Sequence, residues 1–198
     1  MVEERNPLEI VVVQVGPVER RIVESICIEL GIVFPGMNPV CPDDVMPLPF
    51  DAYNSARDQY DSNLILSKLR AVLAKSGAHR LLAVTIADLH VPSMHFVFGE
   101  AHPVWGVAII SLSRLRPEFY GRDANPSLFF NRAAKEAVHE VGHTLGLGHC
   151  DDSSCVMFFS NSIEDTDKKG LEFCDKCRKE MVESLRNARP PVSLSSSA

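Results

Sequence analysis

The residues best suited to chemistry lie in one short stretch, which reads HEVGHTLGLGHC from His139 to Cys150. His139 and His143 are four residues apart, so on a helix both imidazoles leave the same face, one turn from each other. Each can then reach a single zinc ion at a Zn–N distance of about 2.0–2.1 Å. The spacing therefore predicts two ligands of one metal.

A third ligand must come from beyond this helix, because straight helix would carry His149 too far along the axis. Gly146 accepts the positive φ that ends a helix and turns the chain, so His149 can approach the metal from below. Three protein ligands leave a fourth position for water, which is the arrangement of a catalytic zinc. A surface helix with two accidental histidines would explain HExxH alone, but not the added glycine and third histidine.

Glu140 lies one step around the helix from His139, too far off the ligand face to be a natural third ligand. It is well placed beside a zinc-bound water, whose pKa the metal lowers to about 7. Glu140 would take the water proton and pass it to the leaving amine. We expect a zinc metallopeptidase, with a zinc-stabilised, catalytically weak or inactive peptide-binding protein as the alternative. Because Glu140 is not needed to hold zinc, its presence favours the enzyme.

Met157 lies eight residues after His149. A methionine is often adaptable core filling, but in this context we interpret Met157 as a Met-turn floor that packs beneath the ligands. No tyrosine follows it that could stabilise the transition state. The histidines outside the motif are interpreted as surface or core groups, and two of them, His90 and His95, flank the approach to the predicted cleft. The four are His79, His90, His95 and His102.

Four of the six cysteines form two pairs, a C-x4-C pair (Cys150, Cys155) and a C-x2-C pair (Cys174, Cys177). Two such pairs are typical of a structural zinc site with four thiolate ligands. The second pair precedes a helical pattern, and the dipole at a helix N-terminus favours thiolates. The alternatives are two disulfides, a redox C-x-x-C and an iron site. Disulfides need an oxidising compartment, and a redox pair expects a thioredoxin-like βαβ unit.

This second site adjoins the first, because His149 and Cys150 are neighbours. We therefore expect the four-thiolate site to brace the third histidine and the Met-turn. The remaining cysteines, Cys27 and Cys41, are interpreted as free thiols.

The chain resembles the archaemetzincins, a branch of the metzincin peptidases. The branch has HExxHxxGxxHC, a cysteine five residues later, a methionine two beyond that, and a distal C-x-x-C. The matching positions are His139, Glu140, His143, Gly146, His149, Cys150, Cys155, Met157, Cys174 and Cys177. The stretches 96–101 and 160–162 also look like family sequence, and the likeness extends over residues 8–188. It implies a zinc-dependent peptidase with two Zn²⁺ per chain, one catalytic and one structural.

Composition indicates an ordinary globular protein. The chain has 198 residues, 45% of them hydrophobic and 23% charged, with a net charge of −6. The negative charge and the lack of a basic stretch argue against a nucleic-acid partner. The apolar run Ile10–Val13 is too short to span a membrane, and no signal peptide precedes it. We expect a cytoplasmic monomer that acts on a peptide or protein and has no membrane partner.

Apolar patterns alternate between strand and helix, which predicts an α/β fold of the metzincin-like α+β kind. We expect a mixed, mostly parallel twisted sheet with an antiparallel edge strand, packed against the active-site helix. The predicted strands are Leu8–Val15, Ile32–Phe34, Arg80–Ala87, Phe96–Ala101 and Gly106–Leu112. The predicted helices are Val18–Leu30 (ending at Gly31), Asn63–Ala74 (closed by Gly77), one from the Asn125 cap and Pro126 to about Leu145, and Asp175–Asn187. Residues 35–49, with five prolines, are predicted to be a loop.

The predicted organisation is a single catalytic domain over residues 1–188. Residues 8–146 form its N-terminal subdomain, with the sheet and active-site helix. Residues 147–188 form a small C-terminal four-cysteine zinc subdomain with the Met-turn and a terminal helix. Residues 189–198 are predicted to be a disordered tail.

The predicted edge strand provides a candidate substrate site. An extended peptide could pair with it by strand addition, which would fix the scissile bond over the metal. The alternative is an ordinary edge strand. The candidate substrate-binding residues are Phe98, Gly99, Glu100 and Ala101.

Overall fold

The computed structural model describes residues 7–188, in which strands alternate with helices. The strands are β1 (Leu8–Val15), β2 (Met37–Val40), β3 (Val45–Met46), β4 (Tyr53–Asn54), β5 (Gln59–Asp61), β6 (Arg80–Thr85), β7 (Leu89–His90), β8 (Gly99–His102) and β9 (Val107–Ser111). The helices are α1 (Arg20–Val33), α2 (Ser62–Ser76), α3 (Pro126–Thr144), α4 (Ile163–Lys168) and α5 (Asp175–Asn187). Short 3₁₀ helices lie at Phe50–Ala52, Ser113–Leu115 and Pro117–Tyr120.

The main sheet has the strand order β2-β1-β6-β9-β8, and β3 also pairs with β1. All pairs in it are parallel except β8 with β9, which is antiparallel and places β8 at the edge. This confirms the prediction of a mostly parallel sheet with an antiparallel edge strand. A small sheet of β4, β5 and β7 lies apart from it.

Strand β1 is buried on both faces, which explains its nearly continuous apolar sequence. Ile10 and Val12 pack in one core with apolar residues of α1 and α3. Val11 and Val13 pack in a second core with α2. The alternation of side chains along a strand thus builds two layers of helix around one sheet.

The first helix and its surroundings differ from the prediction. Gly31 does not end α1, which continues to Val33. Pro35 explains the end, because the residue before a proline is disfavoured in helical conformation. Residues 32–34 are therefore not a strand. The strand is β2 instead, which pairs in parallel with residues 8–11 of β1.

The proline-rich stretch 35–49 is not a plain loop, since it contains β2 and β3. Pro39 lies within β2 and opposite Ile10. The sheet tolerates this proline because β2 is at an edge, where one side of the strand needs no backbone donor.

The remaining predicted elements are present with small shifts of their ends. Helix α2 is capped by the Asp61 side chain and ends at Gly77, which has φ +75°. Helix α5 has the predicted bounds, and α4 was not predicted. The predicted tail at 189–198 lies outside the described residues. No helix within residues 7–188 has the length and apolar character needed to cross a membrane.

Candidate metal centre

Helix α3 carries the first two histidines into the centre of the molecule. Asn125 caps it, with its side-chain oxygen accepting from the Leu128 amide at 3.0 Å, and Pro126 occupies the first turn as predicted. Apolar residues of the helix pack in the core below the sheet. They include Ala133, Ala137, Val138 and Val141, all fully buried. The opposite side presents His139 and His143.

The structure brings the three predicted histidine ligands together. The Nε2 atoms of His139 and His143 are 3.0 Å apart, and His149 joins them with all three ligand nitrogens within 4.8 Å of one another. Gly146 makes this possible with φ +91° directly after the helix. The Leu147 amide then donates back to the Gly142 carbonyl at 3.2 Å, which closes the turn.

Two backbone carbonyls orient these rings. Nδ1 of His139 donates to the Val156 carbonyl at 2.8 Å, and Nδ1 of His143 donates to the Leu147 carbonyl at 2.7 Å. Each bond leaves Nε2 without a proton and turned toward the other rings, as a metal ligand requires. The lone pairs of the two Nε2 atoms repel each other at their separation of 3.0 Å. This separation is close to the roughly 3.3 Å between neighbouring ligand atoms around a tetrahedral zinc ion. The donor set therefore fits a zinc ion.

Burial also keeps these imidazoles neutral. The pKa of His139 is held well below its usual value, first by burial and then by the positive charge of Lys169. Burial likewise lowers the pKa of His143 and of His149. Neutral imidazole is the form that binds metal.

The Glu140 carboxyl lies beside the edge strand rather than among the ligand nitrogens. A methyl group built on Gly99 would lie 2.6 Å from Cγ of Glu140 and 2.7 Å from its Oε1, so Glu140 packs directly against the glycine backbone. Glu140 is only 5% exposed. Burial first, and the nearby Glu136 second, raise its pKa well above the usual value.

Met157 lies underneath α3. It is fully buried, and a methyl group on Gly142 would come within 2.6 Å of its sulfur. Its neighbour Val156 supplies the carbonyl that orients His139. The methionine segment thus supports the helix and one of its rings.

The four cysteines form a second cluster. Their sulfurs lie within 4.8 Å of one another, and none of the four is in a disulfide. Cys150 and Cys174 have sulfurs 3.7 Å apart, and the Cys174 amide donates to the sulfur of Cys155 at 3.3 Å. A backbone hydrogen bond from Cys177 at the start of α5 is the main cause of a lowered pKa at Cys174. Four sulfurs in this arrangement suit a tetrahedral metal.

The two clusters are joined through the backbone. The amide of Cys150 donates to the Met157 carbonyl at 2.9 Å, and Cys150 follows His149 directly. Cys155 precedes Val156, whose carbonyl orients His139.

A buried ion pair next to the site was missed from the sequence. Lys169 is 1% exposed, and its Nζ lies 3.0 Å from Oε1 of Glu136, which is 3% exposed and also accepts from Thr166. Glu136 precedes Glu140 by one helical turn, so helical periodicity could have identified it. Lys169 comes from just after α4 and has no local sequence signal.

A cavity of about 340 Å³ opens beside Glu140. Phe98 and Gly99 of the predicted substrate residues line it, whereas Glu100 and Ala101 do not. His95 lines it as well, and the other three histidines outside the motif make structural contacts. The further lining residues are four apolar ones, Met94, Phe96, Val97 and Phe159, and six polar ones, Ser93, Glu136, His139, Glu140, Ser160 and Asn161.

Comparison with known proteins agrees with this geometry. The profile of peptidase family M54 matches residues 8–183. Archaemetzincin of Methanocaldococcus jannaschii is 43% identical over 174 residues, which cover 88% of this chain and 93% of the relative.

Two solved structures share the fold. A zinc-dependent peptidase from Methanocorpusculum labreanum has a TM-score of 0.80 and 34% identity, covering 87% of this chain and 99% of its own. Archaemetzincin from Methanopyrus kandleri has a TM-score of 0.82 and 31% identity, covering 94% and 99%. The chain therefore belongs to peptidase family M54, the archaemetzincins, and is a zinc metallopeptidase.

Proposed function

We propose that this peptidase hydrolyses peptide bonds with Glu140 as the general base and with His139, His143 and His149 as the ligands of the catalytic zinc. The observation that carries the proposal is the position of the Glu140 carboxyl. It lies against the backbone of edge strand β8 at Gly99, next to the imidazoles of α3. A peptide held along that strand would have its bond to be cleaved between the base and the metal.

The chemistry follows from this placement. When bound, zinc lowers the pKa of a coordinated water to about 7 and polarises a substrate carbonyl. Glu140 accepts a proton from the attacking water and delivers it to the leaving amine. Burial that raises the pKa of Glu140 suits this task, because a general base works best with a pKa near the working pH.

Strand β8 would position the substrate. It pairs with β9 on one side only, so among the described residues its other edge has no strand partner. Backbone hydrogen bonds to that edge would align an extended peptide, and the cavity lined by Phe98 and Gly99 would take one of its side chains. A substrate N-methylated at one paired amide should show a raised KM, and an N-methyl group at a solvent-facing amide should not. Equal KM values for both would contradict strand pairing.

We further propose that Cys150, Cys155, Cys174 and Cys177 hold a second, structural zinc. Support comes from their four convergent sulfurs and from the amide that donates to Cys155. The ion would fasten the start of α5 to the Met157 segment. Metal analysis should therefore give two zinc ions per chain.

The decisive experiment is hydrolysis of a peptide library by the zinc-loaded protein beside its Glu140→Ala variant. We expect turnover by the wild type and none by the variant, with equal zinc content in both. The same experiment addresses the alternative, a zinc-stabilised peptide-binding protein. Peptide binding without cleavage by the wild type would favour that alternative and contradict the proposal.

A further inference from the structure

Two cysteines outside the metal clusters lie in contact. Cys27 is buried in α1, within the core between α1 and the sheet. Cys41 follows β2, is partly buried and packs against the same core. Arg20 and Cys27 are seven residues apart on one face of α1, and Arg20 contacts the Cys41 sulfur, so Cys41 lies over the same face of the helix as Cys27. The fold therefore places two cysteines that are separated in sequence next to each other.

A guanidinium is fixed beside one of them. Arg20 donates to the carbonyls of Cys41 and Pro42, each at 2.9 Å, and its Nη2 lies 3.7 Å from Sγ of Cys41. Asp43 and Glu24 also pair with Arg20, each at 2.9 Å, which holds the group in place. The guanidinium therefore places a positive charge next to the Cys41 sulfur, where it would stabilise the negative charge of the sulfur during an attack.

The environments of the two sulfurs differ. Burial, and then the hydrogen bond with Cys41, raise the pKa of the Cys27 thiol. Cys41 has Arg20 beside it and reaches solvent. Because a reagent in solvent reaches the partly exposed Cys41 before the buried Cys27, Cys41 is the attacking sulfur and Cys27 the resolving one.

We propose that Cys27 and Cys41 form a thiol-modification site at which a low-molecular-weight disulfide converts the pair into an intramolecular disulfide. The Cys41 thiolate attacks one sulfur of the reagent, an S–S bond to Cys41 forms, and the reagent bond breaks to release one thiolate. Cys27 then attacks Sγ of Cys41, the S–S bond between Cys41 and the reagent breaks, and the Cys27 proton passes to the departing sulfur, which leaves as the second thiol. The two cysteines are oxidised and the reagent is reduced to two thiols, so two electrons are exchanged.

The crosslink would tie α1 to the segment after β2. It closes the stretch from residue 27 to residue 41. Loop-closure entropy for a stretch of this length predicts a rise in apparent Tm of roughly 5–10 °C, reversed by a phosphine reductant.

The test uses the zinc-loaded chain and oxidised glutathione as the probe. Peptide mapping without reduction should show the Cys27–Cys41 crosslink in the wild type. The Cys27→Ala variant should keep one glutathionyl group on Cys41, and the Cys41→Ala variant should react at neither position. A stable glutathionyl group on Cys41 of the wild type, or no reaction at Cys41 in a folded protein, would overturn the proposal.

A matched pair of variants tests the role of the guanidinium. Arg20→Gln should slow the reaction of Cys41 roughly threefold or more. Arg21→Gln is the control, because Arg21 pairs with Glu19 and does not contact the thiols. Equal rates in the two variants would contradict the role of the Arg20 guanidinium at the attacking sulfur. These readouts do not depend on peptidase activity, so they remain valid whatever the peptide-library experiment finds.

Discussion

Replacing Gly99 with alanine should impair catalysis without unfolding the protein. The added methyl would lie 2.6 Å from Cγ of Glu140, 2.7 Å from Oε1 and 2.8 Å from Cδ. These distances are well inside van der Waals contact, so the Glu140 side chain must move. The backbone at Gly99 does not have a positive φ, so alanine introduces no backbone strain there. The substitution therefore acts on the position of the base.

The size of the effect follows from the displacement. Moving Glu140 far enough to restore contact requires a shift on the order of 1 Å, and a misplacement of that size costs about 100-fold in rate. This corresponds to about 2.7 kcal/mol of transition-state stabilisation. The loss should fall mainly on kcat, since Glu140 acts during proton transfer rather than in binding.

The assay is steady-state hydrolysis of a fluorogenic peptide chosen from the library, with zinc content measured for each variant. Gly31→Ala is the matched control, because a methyl there would meet only Pro39 at an ordinary 3.7 Å. We expect wild-type kinetics for Gly31→Ala and a kcat lowered about 100-fold for Gly99→Ala. Wild-type kcat in Gly99→Ala, at equal zinc content, would refute the reasoning.

Three other substitutions probe the supports of the site. Gly142→Ala would bring a methyl 2.6 Å from the sulfur of Met157, and this overpacking should lower the free energy of unfolding by about 1–3 kcal/mol in denaturant titrations. Lys169→Met leaves the Glu136 carboxylate buried without its cation, which should lower the free energy of unfolding by about 3–5 kcal/mol in the same titrations. Adding Glu136→Gln should recover much of this lost stability, and a double variant with no recovery would contradict the pairing. If the four-cysteine cluster braces the histidine site, Cys174→Ser should lower the affinity of the histidine site for zinc by roughly 10–100-fold in chelator competition. An unchanged affinity would disprove the coupling.

The features that could be predicted from sequence rest on local geometry. The four-residue spacing of His139 and His143 puts both on one face of a helix whatever the rest of the fold does. Gly146 predicts the turn that returns His149, and the structure shows it with φ +91°. The nearly continuous apolar sequence of β1 likewise predicts a strand buried on both sides.

The features that could not be predicted depend on tertiary contacts or on competition between local signals. Lys169 reaches Glu136 only because α4 folds back along α3. The end of α1 was misplaced because Gly31 is a plausible stop, whereas Pro35 decides it. The contact between Cys27 and Cys41 arises from the packing of α1 on the segment after β2, and neither cysteine has a metal-site spacing.

The most direct test of the account is an anomalous difference map from crystals of the zinc-loaded protein, recorded at the zinc absorption edge. We predict one peak among the Nε2 atoms of His139, His143 and His149, with the carboxylate of Glu140 outside its ligand shell. A map with no peak at these nitrogens, or with Glu140 bound directly to the metal, would contradict the central claim.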